Sequence, residues 1–272
     1  MDIISHTLSG IATATIVASF SKKEIWKKGV IVFCGGIGGA LPDIDSMSLW
    51  SRFDSTIGTF FHLLHNGRDI YFSNYWYSHH NFAHSLVGGL IITSCLFVLF
   101  SLPVIVFSKN NNRRNMFKRI GIYWIALFLG YVMHLLGDLP TPSLTWGGIK
   151  LFWPLSVAIG GSGHIWWWNN YDIFLIIGGC CAINMGIIIL YQYSKKPFIR
   201  YFPLFICIGS FIAIFHQIDQ RNVNFADTGH TKRIWERYGE YEIKSLEIQK
   251  EILGEKLYDI MTKVDRKLTF YF

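Results

Sequence analysis

The sequence predicts an all-α, polytopic membrane protein with about six transmembrane helices and a C-terminal helix outside the membrane. Three observations support this fold class. The 272 residues are 51% hydrophobic and only 16% charged, whereas an ordinary soluble domain carries about 25% charged residues. Six apolar stretches have lengths near the roughly 17–25 residues that cross the hydrocarbon core of a bilayer. Basic residues collect in short connections between those stretches.

The apolar stretches cover residues 3–20, 26–42, 83–108, 118–139, 171–193 and 199–217. The third and fifth are long and almost uniformly apolar. The second is short and contains four closely spaced glycines, namely Gly35, Gly36, Gly38 and Gly39. Small residues let helix backbones approach closely, so this stretch predicts a tightly packed span, with a re-entrant segment as the alternative.

The positions of the charges predict the orientation. Residues 1–216 contain 15 Lys and Arg, and twelve of them lie in the connections that follow the first, third and fifth stretches. These are Lys22, Lys23, Lys27, Lys28, Lys109, Arg113, Arg114, Lys118, Arg119, Lys195, Lys196 and Arg200. Short basic connections stay in the cytoplasm. The protein is therefore expected in the plasma (inner) membrane, with its N-terminus, the 43–82 and 140–170 loops and its C-terminus extracytoplasmic.

This distribution also excludes a nucleic-acid partner, because a nucleic-acid binder clusters its basic residues on one face of a folded domain. The five cysteines all lie in apolar stretches and are expected to be buried small hydrophobic residues without a disulfide framework. The two outer loops are rich in Trp, Tyr and Phe. Aromatic side chains concentrate at membrane–water boundaries, so both loops are expected to lie along the outer surface.

The chain divides into a membrane domain, 1–217, and a tail, 218–272. The tail predicts a helix from about 231 to 268, because apolar residues recur there at helical spacing between charges. The simplest interpretation is a helix that packs on the outer loops. The alternatives are a lid over a site and a helix that pairs with a second copy of the chain in a homodimer.

Ionisable residues at membrane depth are costly, so they indicate a functional site. The predicted topology brings eight of them to the outer ends of four stretches: His6, Asp43, Asp45, His79, His80, His84, His134 and Asp138. Each has a structural explanation when taken alone, such as a hydrogen-bonded His–Asp pair or a turn. Together, imidazoles and carboxylates at one depth predict a metal site. Imidazole suits Zn²⁺, and carboxylates can bridge two ions, so one to three divalent ions are expected.

Three other histidines are weaker candidates. His62 and His65 are three residues apart and are more simply explained as surface or interface residues. His164 follows a glycine-rich turn that can bring it to the site. The glycines at 160, 161 and 163 do not form a phosphate-binding loop, because the flanking strand and helix pattern is absent.

Five ordered motifs resemble the YdjM-like family of membrane-bound metal-dependent hydrolases. They are Ser5-His6-Thr7, Leu41-Pro42-Asp43-Ile44-Asp45, His79 to Ser85, His134 to Thr141, and Leu151 to Ser156. The resemblance covers residues 1 to about 160. It implies a membrane hydrolase with a His/Asp metal centre. The family is also distantly similar to zinc-dependent phospholipase C, an analogy at the level of the fold.

The chain departs from the family pattern in the third motif. The pattern reads His-Arg-Gly-x-Thr-His-Ser, whereas this chain has His79-His80-Asn81-Phe82-Ala83-His84-Ser85. The missing arginine removes a bidentate partner for phosphate or carboxylate. His80 either substitutes for it or adds a metal ligand.

The expected reaction is hydrolysis of a phosphoester in a lipid or lipid-linked substrate at the outer face of the membrane, by a water that the metal activates. Asp45 or Asp138 is the candidate base. Ser85 and Thr141 are expected to orient ligands by hydrogen bonds. Hydrolysis of an amide or ester, ion or proton transport, and a non-catalytic regulator with a structural metal are the alternatives.

Overall fold

A computed structural model describes residues 2–106, 113–167, 170–194, 196–221, 223–225 and 238–267. Helices are the only extended regular elements in these ranges, and two isolated β-bridges join loop residues. The main helices are α1 (Ile3–Phe20), α2 (Ile25–Ala40), α3 (Gly67–Phe72), α4 (Leu86–Val106), α5 (Arg113–Asp138), α6 (Tyr171–Ser194), α7 (Phe202–Asp219) and α8 (Tyr238–Lys267). The prediction of an all-α fold is confirmed for the described residues.

Four helical segments of the described chain are long and apolar enough to cross a membrane: Ile3–Phe20, Ile120–Asp138, Tyr171–Ser194 and Pro197–Asp219. A fifth is formed if α2 and the 3-10 helix Pro42–Leu49, which meet at a bend of 50°, count as one span. The apolar part of α4, Leu86–Leu102, is shorter. A polytopic membrane protein is therefore supported, and the count of six stays a prediction. Residues 107 and 108 of the third predicted stretch lie outside the described residues.

The centre of the bundle is a tight contact of α1, α2 and α5. A Cβ atom at Gly10 or Gly130 would overlap the carbonyl oxygen of Gly35, and one at Gly38 would overlap the carbonyl of Leu127. The backbones thus touch without intervening side chains, as small residues permit. This confirms the prediction that the glycine-rich second stretch is a tightly packed helix.

The basic connections gather at one end of the bundle. The Arg200 guanidinium lies over the Phe20 ring at 5.8 Å, and the Phe20 and Tyr201 rings are 5.3 Å apart, which joins the end of α1 to the α6–α7 connection. Lys28 lies over Tyr191 and Lys23 over Tyr123, each at 5.0 Å. Lys109 and Lys195 lie outside the described residues, as do the side chains of Arg113, Arg114, Lys118 and Arg119.

The two aromatic loops cover the opposite end of the bundle and are only partly exposed. Phe60 is 77% exposed and Trp76 is 61% exposed, but Trp146 and Trp166 are buried. Trp146 packs against Tyr71 of the 43–82 loop, and Trp166 packs against Phe225 and Tyr241 of the tail. The expectation that the two loops lie along the outer surface stays a prediction. Trp168, which belongs to the same predicted surface, lies outside the described residues.

Helix α8 packs on the N-terminal end of α6. The Tyr171 hydroxyl donates to Asp265 at 2.7 Å, and the Trp166 indole N–H donates to Glu242 at 3.0 Å. The predicted tail helix is confirmed over 238–267, while residues 231–237 and 268 lie outside the described residues. The helix is broken at Gly254, whose φ of +73° favours glycine. A buried ion pair between Arg221 and Asp172, at 2.7 Å, fixes the chain after α7 to the same end of α6.

Candidate metal centre

Four segments meet at the end of the bundle opposite the basic connections and bring all eight predicted metal ligands together. Asp2 caps α1 by accepting the Ser5 N–H at 2.9 Å, which places His6 in the first turn. Pro42 begins the bent 3-10 helix that carries Asp43 and Asp45. His79, His80 and His84 precede α4, and His134 and Asp138 lie in the last turns of α5. The five histidines and Asp138 are buried, and Asp43 and Asp45 are half-buried.

Asp138 is the link between α1 and α5. Its two carboxylate oxygens lie 3.0 Å from His6 Nε2 and 3.0 Å from His134 Nε2. The i, i+4 spacing of His134 and Asp138 puts both side chains on one helix face. The His6 and His134 rings stack with their centroids 3.7 Å apart. A carboxylate therefore holds two imidazoles from different helices side by side.

A backbone carbonyl fixes the orientation of the His134 ring. His134 Nδ1 lies 2.7 Å from the Gly39 carbonyl oxygen, so we assign its proton to Nδ1, where it donates to that carbonyl. The Nε2 then faces Asp138 at 3.0 Å, with Asp43 Oδ1 at 3.6 Å and His84 Nε2 at 3.3 Å. A histidine that donates one ring N–H to a backbone carbonyl and presents the other nitrogen to a polar cluster has the arrangement typical of metal ligands.

His84 connects this cluster to a second layer, which consists of His79, His80 and Asp45. Its Nε2 lies 3.6 Å from both Asp43 Oδ1 and Asp138 Oδ2, and its Nδ1 accepts the backbone N–H of His80 at 3.3 Å. In the second layer, His79 Nδ1 donates to Asp45 Oδ1 at 2.9 Å. Both nitrogens of His84 thus face polar groups of the site.

Aromatic rings support the second layer. The Tyr71 ring stacks on His79 with centroids 4.4 Å apart, and Trp146 packs on His79 at 5.0 Å and on His80 at 4.5 Å. Burial favours the neutral form of His79, but the Asp45 carboxylate outweighs this and raises the pKa of His79. Burial, together with the neighbouring His79, holds the pKa of His80 well below its ordinary value. His80 is therefore a neutral imidazole at neutral pH.

The donor set fits divalent cations. Three carboxylates lie within one buried cluster, and no Lys or Arg of the described chain forms an ion pair with Asp43 or Asp45. Buried like charges of this kind are compensated by protonated imidazoles such as His79 or by a bound cation. Four groups of three residues each place potential ligand atoms within 4.8 Å of one another. They are His79–His80–His84, His6–Asp43–His134, His84–His134–Asp138 and Asp43–Asp45–His79.

Unpartnered atoms support the same fit. Within the described chain, the buried His6 Nδ1 and Asp45 Oδ2 have no hydrogen-bond partner. His6 Nε2 approaches Asp138 at 3.0 Å without hydrogen-bond alignment. Buried polar atoms are nearly always hydrogen-bonded, and an ion is one of the recognised exceptions.

The two predicted hydroxyl groups have other partners. Ser85 Oγ donates to the Phe82 carbonyl at 2.7 Å and accepts the Gly88 N–H at 2.9 Å, so it caps the start of α4. Thr141 Oγ1 donates to the Asp138 carbonyl at 2.6 Å. Both side chains stabilise backbone that carries ligands, and the structure does not direct either hydroxyl at a ligand side chain.

The three weaker histidine candidates are in none of the four groups. The His65 ring stacks on Tyr75, and His164 Nδ1 lies 2.7 Å from Ser162 Oγ. His62 is exposed and adopts a φ of +50°.

Sequence reasoning missed the groups that orient the ligands. The carbonyls of Gly39 and Gly148 accept from His134 and His80, and backbone acceptors leave no signal in a sequence. Trp146 and Tyr71 were visible only as loop aromatics. An arginine outside the third motif, Arg68, lines a pocket. This pocket of about 390 Å³ is lined by Arg68, Asp54 and Phe72 and by residues of the Pro42–Leu49 segment and its end, Ser48, Leu49, Trp50 and Ser51.

A comparison with protein-family models agrees with these observations. The family model described as YdjM inner membrane protein matches residues 1–218, which includes every candidate ligand. No curated protein and no solved structure gives a significant match to the chain. The match covers most of the chain, and the chain belongs to the YdjM inner membrane protein family.

Proposed function

We propose that the protein is a membrane-embedded, metal-dependent hydrolase that cleaves a phosphoester of a lipid or lipid-linked substrate at the outer face of the membrane. The observation that carries the proposal is the orientation of His134. Its Nδ1 is held by the Gly39 carbonyl at 2.7 Å, and its Nε2 faces Asp138, Asp43 and His84.

Each ligand has a defined role in this proposal. His6, Asp43, His134 and Asp138 hold a divalent ion, most simply Zn²⁺. When bound, such an ion acidifies water and neutralises charge on phosphoryl oxygens. Asp45 holds His79 through the 2.9 Å contact and is only half-buried, so it is also the carboxylate best placed to take a proton from an incoming water. Ser85 and Thr141 act as positioning residues through the backbone.

The surroundings of the centre favour a lipid substrate. The 43–82 loop exposes a run of large apolar side chains at the same end of the bundle: Phe60 at 77%, Phe61 at 65% and Leu64 at 95%. An exposed apolar patch next to membrane spans suits contact with acyl or prenyl chains. Arg68, in the pocket beside the Pro42–Leu49 segment, provides a guanidinium for an anionic head group.

The experiment is hydrolysis of membrane lipid extract by the purified, Zn²⁺-loaded protein in vesicles, followed by mass spectrometry of the products. We expect phosphoester cleavage by the wild type, suppression by a chelator, and a loss of at least 100-fold in rate for His134→Ala. His65→Ala, which removes a histidine outside the ligand groups, is the matched control and should retain full activity.

The other outcomes identify other functions. Release of fatty acids or amines, with no phosphate product, would replace the phosphoester by an ester or amide. Metal-dependent ion flux in proteoliposomes without any turnover would indicate a transporter. Tight metal binding with neither turnover nor ion flux would indicate a non-catalytic regulator with a structural metal. Each of these results contradicts the proposal.

A further inference from the structure

We infer that the centre contains two metal positions of different chemistry, and that His79, His80 and His84 form the second as an all-imidazole site for Zn²⁺. The first position is the carboxylate-rich set around Asp138. The inference rests on the metal centre of the proposed function but not on its hydrolytic activity.

The three imidazoles form a compact triangle. Their ring centroids are 4.3 Å apart for His79 and His80, 4.3 Å for His79 and His84, and 5.0 Å for His80 and His84. Each offers a ring nitrogen within 4.8 Å of the others. All three are buried. Small shifts of side chains can bring three such nitrogens to the roughly 2.0–2.1 Å that Zn²⁺ requires.

His80 has the features of a ligand held in place. Its Nδ1 donates to the Gly148 carbonyl at 3.3 Å, which repeats the way in which Gly39 orients His134. Its φ of +62° is a conformation that a residue with a Cβ rarely adopts. Such strain persists where the surroundings fix it, and it concentrates at functional sites.

The Asp45 carboxylate orients the His79 ring, as the Gly148 carbonyl orients His80. The His79 Nδ1–H donates to Asp45, so its Nε2 is available to a ligand. A carboxylate behind a metal-binding histidine is the other arrangement that recurs in proteins. Both histidines are thus fixed through Nδ1, by acceptors on separate segments of the chain.

The two positions differ in their ligands. His6, Asp43 and His134 form a mixed group, in which a carboxylate also suits harder cations such as Mn²⁺ or Mg²⁺. The His79–His80–His84 group contains only nitrogen donors and therefore selects Zn²⁺ over those ions. Three protein ligands with one open position are typical of catalytic zinc. His84 belongs to groups on both sides and separates the two positions.

The test compares His80→Asn with the wild type and with Asp138→Asn. Asparagine tolerates positive φ, and its amide can replace the donor to Gly148, but it supplies no imidazole nitrogen. Metal content per chain is measured after dialysis against Zn²⁺, and Co²⁺ titration is followed by visible absorption. We expect two Zn²⁺ ions per wild-type chain and one per His80→Asn chain. A second ion should bind to His80→Asn at least tenfold more weakly than to the wild type.

Thermal unfolding in chelator separates ligation from folding. Metal-free His80→Asn should unfold within a few degrees of metal-free wild type, whereas Zn²⁺ should raise the Tm of the wild type further than that of the variant. Equal metal content in both proteins would overturn the inference. Loss of both ions in His80→Asn would also overturn it, because the centre would then be undivided. A third outcome is one ion in both wild type and His80→Asn, and none in Asp138→Asn. That result would support a single metal position around Asp138 and would overturn only the inference of a second position.

Discussion

Trp146 determines where two of the histidines can lie. It is buried, it packs on the rings of His79 and His80, and its indole N–H donates to the Tyr71 carbonyl at 3.2 Å. The sequence indicated only that this tryptophan belongs to an aromatic loop. Its role depends on the 140–170 loop folding back over the 43–82 loop, and a contact between distant segments cannot be inferred from residue spacing.

Replacement of this ring should therefore disturb the site as well as the fold. Trp146→Ala is expected to lower the free energy of unfolding by about 3–5 kcal/mol, the usual cost of removing a buried aromatic side chain. Zn²⁺ affinity should fall with it. Trp146→Phe keeps an aromatic ring but loses the five-membered ring of the indole together with its hydrogen bond to the Tyr71 carbonyl. Loss of the hydrogen bond costs about 0.5–1.5 kcal/mol, and the total loss should be smaller than that of Trp146→Ala. Thermal unfolding and Zn²⁺ titration in detergent measure both effects, and equal behaviour of the two variants would contradict this role.

The candidate ligand residues were predictable because ionisable side chains are unusual in apolar stretches. His6, His134 and Asp138 lie at the ends of apolar stretches, where a polar side chain is costly. Charge placement in the connections then indicated that these ends share one side. The roles of Ser85 and Thr141 stay a prediction: their hydroxyls bond to backbone, and sequence does not distinguish a hydroxyl that orients a ligand from one that stabilises the backbone beside it.

At the scale of helices, α2 is the element that aligns the centre. Its glycines bring its backbone against α1 and α5, and its last turn supplies the carbonyl that orients His134. The sequence predicted the close packing from the glycines. It left open whether the segment crosses the membrane, and the 50° bend at its end follows from Pro42, which cannot continue the hydrogen bonding of the helix.

Two glycines of α2 provide a matched test. A Cβ at Gly39 would overlap the backbone of His6, whereas a Cβ at Gly29 would meet no atom within 4 Å. Gly39→Ala should cost about 1–3 kcal/mol of stability through overpacking and weaken Zn²⁺ binding about 10–100-fold through loss of ligand orientation. Gly29→Ala should stabilise the helix by about 0.5–1 kcal/mol and leave metal binding unchanged. Unaltered metal affinity in Gly39→Ala would show that α2 does not position the ligands.

At the scale of the whole molecule, the two ends of the bundle differ in chemistry. The described basic residues Lys23, Lys28, Lys196 and Arg200 lie at one end, and the His/Asp centre lies at the other. Helix α8 packs at the end that contains the centre, through Tyr171 and Asp172. The tail therefore shares the side of the centre, whichever side of the membrane that is.

The positive-inside rule predicts that this side is extracytoplasmic. An epitope tag after Phe272 is expected to react with antibody in intact spheroplasts, because α8 should lie outside. A tag inserted between Ser21 and Lys22, in the basic α1–α2 connection, is the control and should react only after lysis. The reverse pattern would place the centre in the cytoplasm.

The spread of the ligands along the chain has a consequence for biosynthesis. The carboxylate-rich set takes residues from α1, from the Pro42–Leu49 segment and from the last turns of α5, so no single hairpin contains it. The full set exists only when Asp138 has been synthesised, about half-way along the chain, and the Gly148 acceptor of His80 follows ten residues later. Before α5 is synthesised, Asp43 lacks its neighbour His134. In the proposed function, metal capture completes the packing of the N-terminal half, and we expect cells starved of the metal to degrade the chain.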